Sequence, residues 1–93
     1  MANADSPAGE PARYVGIDVH KQYLVVGAVD RQQTVVLPPR RVAVAEFAAW
    51  APGHLTAHDA VVLEATTMAW YLYDLLTPLV ATVTVAHAAA IRA

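Results

Sequence analysis

The sequence predicts an α/β domain built on a mixed sheet, and three observations carry that reading. Three short apolar runs, separated by brief polar gaps, stand near the N-terminus and read as an antiparallel meander. Beyond Val42 the apolar spacing lengthens from that of a strand to that of a helix. From there strands and helices alternate, the pattern of parallel strands joined by crossovers.

Taken in order, Met1 to Arg13 holds two prolines, a glycine and the chain's single serine, Ser6, and reads as a flexible leader before a single domain over 14–93. Tyr14-Val15-Gly16-Ile17-Asp18 is the first strand, ending in a carboxylate. Tyr23 to Val29 is the second and Thr34 to Leu37 the third. The gaps, His20-Lys21-Gln22 and Asp30 to Gln33, are short enough for hairpins. Pro38-Pro39 is expected to end the third strand, because proline donates nothing to a ladder. The near-continuous apolar runs predict a sheet covered on both faces.

Val44, Phe47, Ala48 and Ala51 form a helical stripe that Pro52-Gly53 closes. Ala60 to Leu63 is a fourth strand ending at Glu64. Met68, Leu72, Leu75, Leu76 and Leu79 form a second helical stripe, capped by Thr66 or Thr67 and stopped by Pro78. Ala81 to Val85 is a β-branched fifth strand. Ala88 to Ala93 reads as the start of another helix.

Composition narrows the function classes. With 57% hydrophobic and 15% charged residues, the chain is not a disordered tail. No apolar run reaches the roughly 18 residues of a spanning helix, and the first residues lack the pattern of a secretory signal. A cytoplasmic protein with no membrane partner is the expectation. The absence of cysteine excludes disulfides, thiolate metal sites and thiol nucleophiles. A formal charge of −2 gives little general attraction for nucleic acid, so any such contact depends on local placement of charge.

The order β-β-β-α-β-α-β, with right-handed crossovers, places the fourth strand beside the first and parallel to it. The expected strand order is 3-2-1-4-5, a ribonuclease H-like arrangement. Asp18 and Glu64 then stand at the carboxyl ends of two central strands, about 4.8 Å apart in backbone. Open α/β sheets place ligands at such strand ends. Two ionised carboxylates this close repel unless a proton or a cation lies between them. Hard oxygen ligands suit Mg²⁺ or Mn²⁺, which can clamp a phosphoryl group during displacement. The plainer alternatives are that Asp18 begins a turn and that Glu64 meets the N-terminal dipole of the next helix.

The wording of these segments says more. Gly16-Ile17-Asp18-Val19-His20-Lys21 resembles the opening strand of bacterial transposases of the insertion-sequence-110 family, and Val62-Leu63-Glu64-Ala65-Thr66 resembles a second block of the same N-terminal domain. Tyr71 to Leu76 and Val83 to His87 are also similar. The resemblance implies a RuvC-like domain in which four acids bind divalent metal for DNA strand cleavage and exchange, with Asp18 and Glu64 as the first two. The other two acids lie, in that family, on a helix after the fifth strand, so the resemblance implies a sheet incomplete at its C-terminus and a fragment inactive alone. The family's catalytic serine has no counterpart, since Ser6 lies in the leader. DNA and an element-encoded guide RNA are the implied partners.

Other features have plainer readings. His20, His54, His58 and His87 are scattered, and none is expected to bind metal. His20-Lys21 reads as a polar turn that approaches a phosphate only if the site is real. Lys21, Arg31, Arg40 and Arg41 read as a solvated edge or, alternatively, as a small phosphate-contacting patch. Trp70 is expected to pack at the core margin and Asp74 to face solvent. Two rival functions remain: a non-catalytic interaction remnant that associates with copies of itself, and a fragment of an actin-like or sugar-kinase ATPase. The second rival lacks the glycine, serine or threonine expected in its phosphate-cradling first turn, which here is Val19 to Gln22.

Overall fold

The computed structural model describes residues 10–86. The elements are β1 (Arg13–Val19), β2 (Tyr23–Asp30), β3 (Val35–Ala43), α1 (Val44–His54), β4 (Asp59–Glu64), α2 (Ala69–Leu76) and β5 (Thr82–Ala86). They form a small α/β domain around one five-stranded mixed sheet of order β3-β2-β1-β4-β5. β1 pairs antiparallel with β2 and parallel with β4; β4 pairs parallel with β5. The strand order and the sense of each pairing are those expected from the sequence. Among the described residues no helix is long and apolar enough to cross a membrane. The helix expected over Ala88–Ala93 lies outside the described residues, as do the first nine residues of the expected leader. Arg13, placed at the leader's end, is the first residue of β1, and the backbone N–H of Ala12 already donates to the His58 carbonyl at 2.7 Å.

Alternation decides which side chains are inside. Val15 and Ile17 of β1, Leu24, Val26 and Ala28 of β2, and Val61 and Leu63 of β4 point to one face. There they meet Phe47 and Ala51 of α1 and Ala69, Leu72 and Leu76 of α2 in a single core. Both helices lie on that face. α1 connects β3 to β4 and α2 connects β4 to β5; both crossovers join parallel strands and step the same way across the sheet, so a common handedness delivers both helices to one side. Among the described residues only this face is covered by helices, which departs from the expectation of a sheet covered on both faces. Apolar runs here fill the opposite face with Tyr14, Gly16, Val25, Gly27 and Val62, and Tyr14 and Val62 are exposed.

The third strand does not stop at Pro38-Pro39; it continues to Ala43. β3 is an edge strand, where a missing N–H costs no ladder partner. Its register against β2 shifts between Val26 and Ala28, so that the proline pair bulges opposite Gly27. A Cβ on Gly27 would stand 3.3 Å from the Pro39 ring, so the bulge and the glycine fit each other. α1 likewise runs past Pro52-Gly53 to His54, and the Leu55 N–H closes its last turn on the Ala51 carbonyl. Ala48, placed on the buried stripe by its spacing, is exposed. α2 begins at Ala69 without a side-chain cap; Thr66 instead forms a turn ahead of it, its hydroxyl accepting from the Met68 N–H at 3.2 Å.

One buried polar group pins the sheet. Asp59, with no solvent exposure, receives two bonds from Arg13, Nε and Nη2 both at 2.7 Å. It also accepts from the Thr56 N–H at 2.8 Å and the Thr56 hydroxyl at 3.2 Å. Arg13 further donates to the His54 carbonyl at 2.9 Å, tying the end of α1 to β1. Burial by itself raises the Asp59 pKa, but the bonds from Arg13 and Thr56 and the guanidinium charge outweigh it and hold the carboxyl below its ordinary value. The same hydrogen bonds hold the Arg13 pKa above its ordinary value, against a smaller opposing effect of burial.

Removing one partner of such a pair strands the other, at a cost of about 3–5 kcal/mol. Asp59→Ala is expected to lose stability of that order in urea denaturation. Because the folded pKa is depressed, this stabilisation is present above the unfolded value, about 3.9, and is lost as pH falls through the folded one. Wild-type stability is therefore expected to decline in that acidic window, and Asp59→Asn to flatten that part of the decline. An unchanged acid limb in the variant would contradict the assignment.

Candidate functional site

β1 and β4 run parallel and in step from the Arg13–Asp59 pair up to Ile17 opposite Leu63. Asp18 and Glu64 are the next residues of each strand, at the carboxyl ends of two adjacent central strands. Alternation turns both away from the helices, onto the open face. Both are exposed, and both line one shallow groove of about 460 Å³. Its floor is apolar and low, because Gly16 and Gly27 face each other across β1 and β2 without side chains. Val25, Val62, Pro39 and Ala86 complete the walls. Strand order and register place the two acids on adjacent strand ends, where both line the same groove.

Asp18 is not alone at its end of the groove. Its Oδ2 lies 2.9 Å from Nε2 of His20, which comes from the turn just after β1. The His20 ring stacks on Tyr23, with centroids 4.5 Å apart and planes 17° apart. The turn is closed by the His20 N–H donating to the Tyr23 carbonyl at 2.9 Å, so the backbone itself holds imidazole and phenol side by side. His20 thus orients the first acid, a role the sequence left as a polar turn. The spacing Asp18-x-His20 across a tight hairpin was the available signal.

Among the described residues no group of three or more His, Asp or Glu side chains is arranged to hold a metal ion. His54 is engaged with α1, its Nδ1 2.8 Å from the Trp50 carbonyl and its ring stacked on Trp50 at 4.2 Å. His87 lies outside the described residues. The four basic residues do not make one edge. Arg31 sits at the far hairpin, its Nε donating to the Pro11 carbonyl at 3.0 Å. Arg40 turns to the helix side, over the Trp50 ring at 5.7 Å, and Arg41 turns to the open side, over Tyr23 at 3.9 Å. Trp70, expected at the core margin, is 65% exposed, because its helical position faces away from Leu72 and Leu76. Asp74 is exposed as expected.

Searches among protein families, curated proteins and solved structures return no match to this chain.

Two carboxylates on adjacent strand tips repel in the absence of a cation. Glu64→Gln removes that repulsion while leaving the Asp18–His20 contact intact. It is expected to raise the thermal midpoint near neutral pH by a few degrees, the equivalent of about 0.5 kcal/mol. A midpoint unchanged or lowered at neutral pH would mean that the two charges do not meet.

Proposed function

We propose that this domain contributes a carboxylate pair to divalent-metal-dependent cleavage and exchange of DNA strands, on a ribonuclease H-like (RuvC-like) sheet of the transposase kind. The observation that supports the reading is the position of Asp18 and Glu64 one residue beyond the Ile17–Leu63 pair, at the carboxyl ends of adjacent parallel strands and lining one open groove. The meander followed by two parallel strands supports the fold assignment. The wording of Gly16 to Lys21 supports the family and, through it, DNA and an RNA as partners.

The donor set fits Mg²⁺ or Mn²⁺. Both acids are hard oxygen ligands, both are open to water, and their mutual repulsion is relieved by a cation. Asp18 and Glu64 would hold the ion, which supplies Lewis-acid polarisation of a phosphodiester and a more acidic bound water. His20 fixes the orientation of Asp18 from the side away from Glu64's strand. The glycine floor lets a sugar–phosphate chain approach the acids closely. Two carboxylates would supply only part of the oxygen ligands such an ion takes, so Asp18 and Glu64 would hold it weakly and would need further groups to complete a cleavage site.

A second reading draws on the open face itself. Tyr14 and Val62 are exposed beside the half-buried Val25 and Val29, and such a patch suits an interaction domain or self-association.

Mn²⁺ titration followed by water-proton relaxation tests the main reading. Wild type is expected to bind in the millimolar range, and Asp18→Asn with Glu64→Gln to abolish binding. Retained binding in the double variant would sink the proposal, as would no binding by wild type. The 93-residue chain with Mg²⁺ or Mn²⁺ is expected to leave supercoiled plasmid intact; nicking that disappears in Asp18→Ala would show that the pair suffices.

A further inference from the structure

The open face carries a second charged group in line with the acids. Asp18 pairs across the sheet with Val25 of β2, and Val25 pairs with Arg41 of β3. These three residues form one cross-strand row, on the face where Glu64 also stands. Arg41 therefore lies two strand spacings from Asp18, about 10 Å in backbone. Its guanidinium makes no hydrogen bond or ion pair among the described residues.

The guanidinium is nonetheless held in place. Its central carbon sits 3.9 Å from the centroid of Tyr23, the ring on which His20 stacks from the β1 side. Carboxylate, imidazole, phenol and guanidinium thus form a continuous series from Asp18 to Arg41. Stacking on a ring occupies the flat face of a guanidinium and leaves its N–H edge open. An edge of parallel N–H donors matches a phosphate better than a point charge does. A cation with free donors, beside a groove ending in two acids, is placed to neutralise an anionic chain that the acids alone would repel.

We infer that Arg41, positioned by Tyr23, contacts a phosphate neighbouring the one at the carboxylates, so that the DNA strand leaves the acids across β2 toward β3 rather than toward β5. This rests on the proposed function and assigns the direction of the strand on that site. Arg40 supplies an internal control, since it is adjacent in sequence and faces the helix side over Trp50.

The test is binding of a fluorescently labelled single-stranded DNA oligonucleotide, measured by anisotropy at low salt in EDTA and repeated over a salt series. Arg41→Gln is expected to weaken binding about five- to ten-fold and to lower the salt slope by about one ion. Arg41→Lys should retain part of the affinity, Tyr23→Leu should fall between, and Arg40→Gln should stay within about two-fold of wild type. Equal losses in Arg40→Gln and Arg41→Gln, no loss in Arg41→Gln, or no binding by wild type would overturn the inference. Mn²⁺ titration of Arg41→Gln separates the two proposals. Metal bound normally with DNA binding independent of Arg41 rejects only the strand direction. DNA binding that depends on Arg41, in a protein that takes up no metal, rejects only the metal site.

Discussion

The bidentate bond between Arg13 and Asp59 sets the register on which the rest of the molecule depends. It joins the first residues of β1 and β4, the two central parallel strands. Asp18 and Glu64 lie equally far along those strands from this pair, so the clamp at one end of the sheet aligns the acids at the other. A slip of one residue would turn the whole of β4 over, sending Val61 and Leu63 to the open face and Glu64 into the core. Hydrophobic alternation resists that slip, and the buried ion pair makes it worse by leaving a carboxylate without its partner. The same guanidinium holds the end of α1 through the His54 carbonyl. One arginine thus coordinates a strand, a helix and the connection between them.

With both helices on one side, the two faces of the sheet take different tasks. The covered face carries the core of Phe47, Leu24, Leu63, Leu72 and Leu76 and accounts for stability. The open face carries glycines, the two acids and Arg41. Gly16 and Gly27 contribute nothing to packing there and lower the floor between charged walls. Gly27 also admits the proline bulge of β3, which brings Pro39 over the groove. A single position therefore serves both the edge strand's geometry and the shape of the site.

Much of this arrangement is legible in the order of residues. Strand existence, strand order and the position of the acids follow from apolar period and from the handedness of crossovers, which act locally and alike in all such sheets. The bounds of β3 and α1 do not follow, because proline's missing N–H matters only where a partner would have used it. On an edge strand no bond need be lost, whereas in α1 Pro52 forfeits the bond to the Ala48 carbonyl and the helix still continues to His54. Arg13–Asp59 was not singled out either. Its partners are far apart in sequence, and nothing local marks them as a pair.

The sequence by itself determined a five-stranded mixed sheet and two carboxylates at the ends of its central strands. Alternation and topology are sufficient for that. Only the tertiary structure decided that, among the described residues, both helices lie on one face, that Arg40 and Arg41 separate to opposite faces, and that His20, Tyr23 and Arg41 line up beside Asp18. Those outcomes depend on the registers of β2 against β1 and β3, including a bulge at the prolines. Register is a property of strand pairs, and a single run of residues does not contain it.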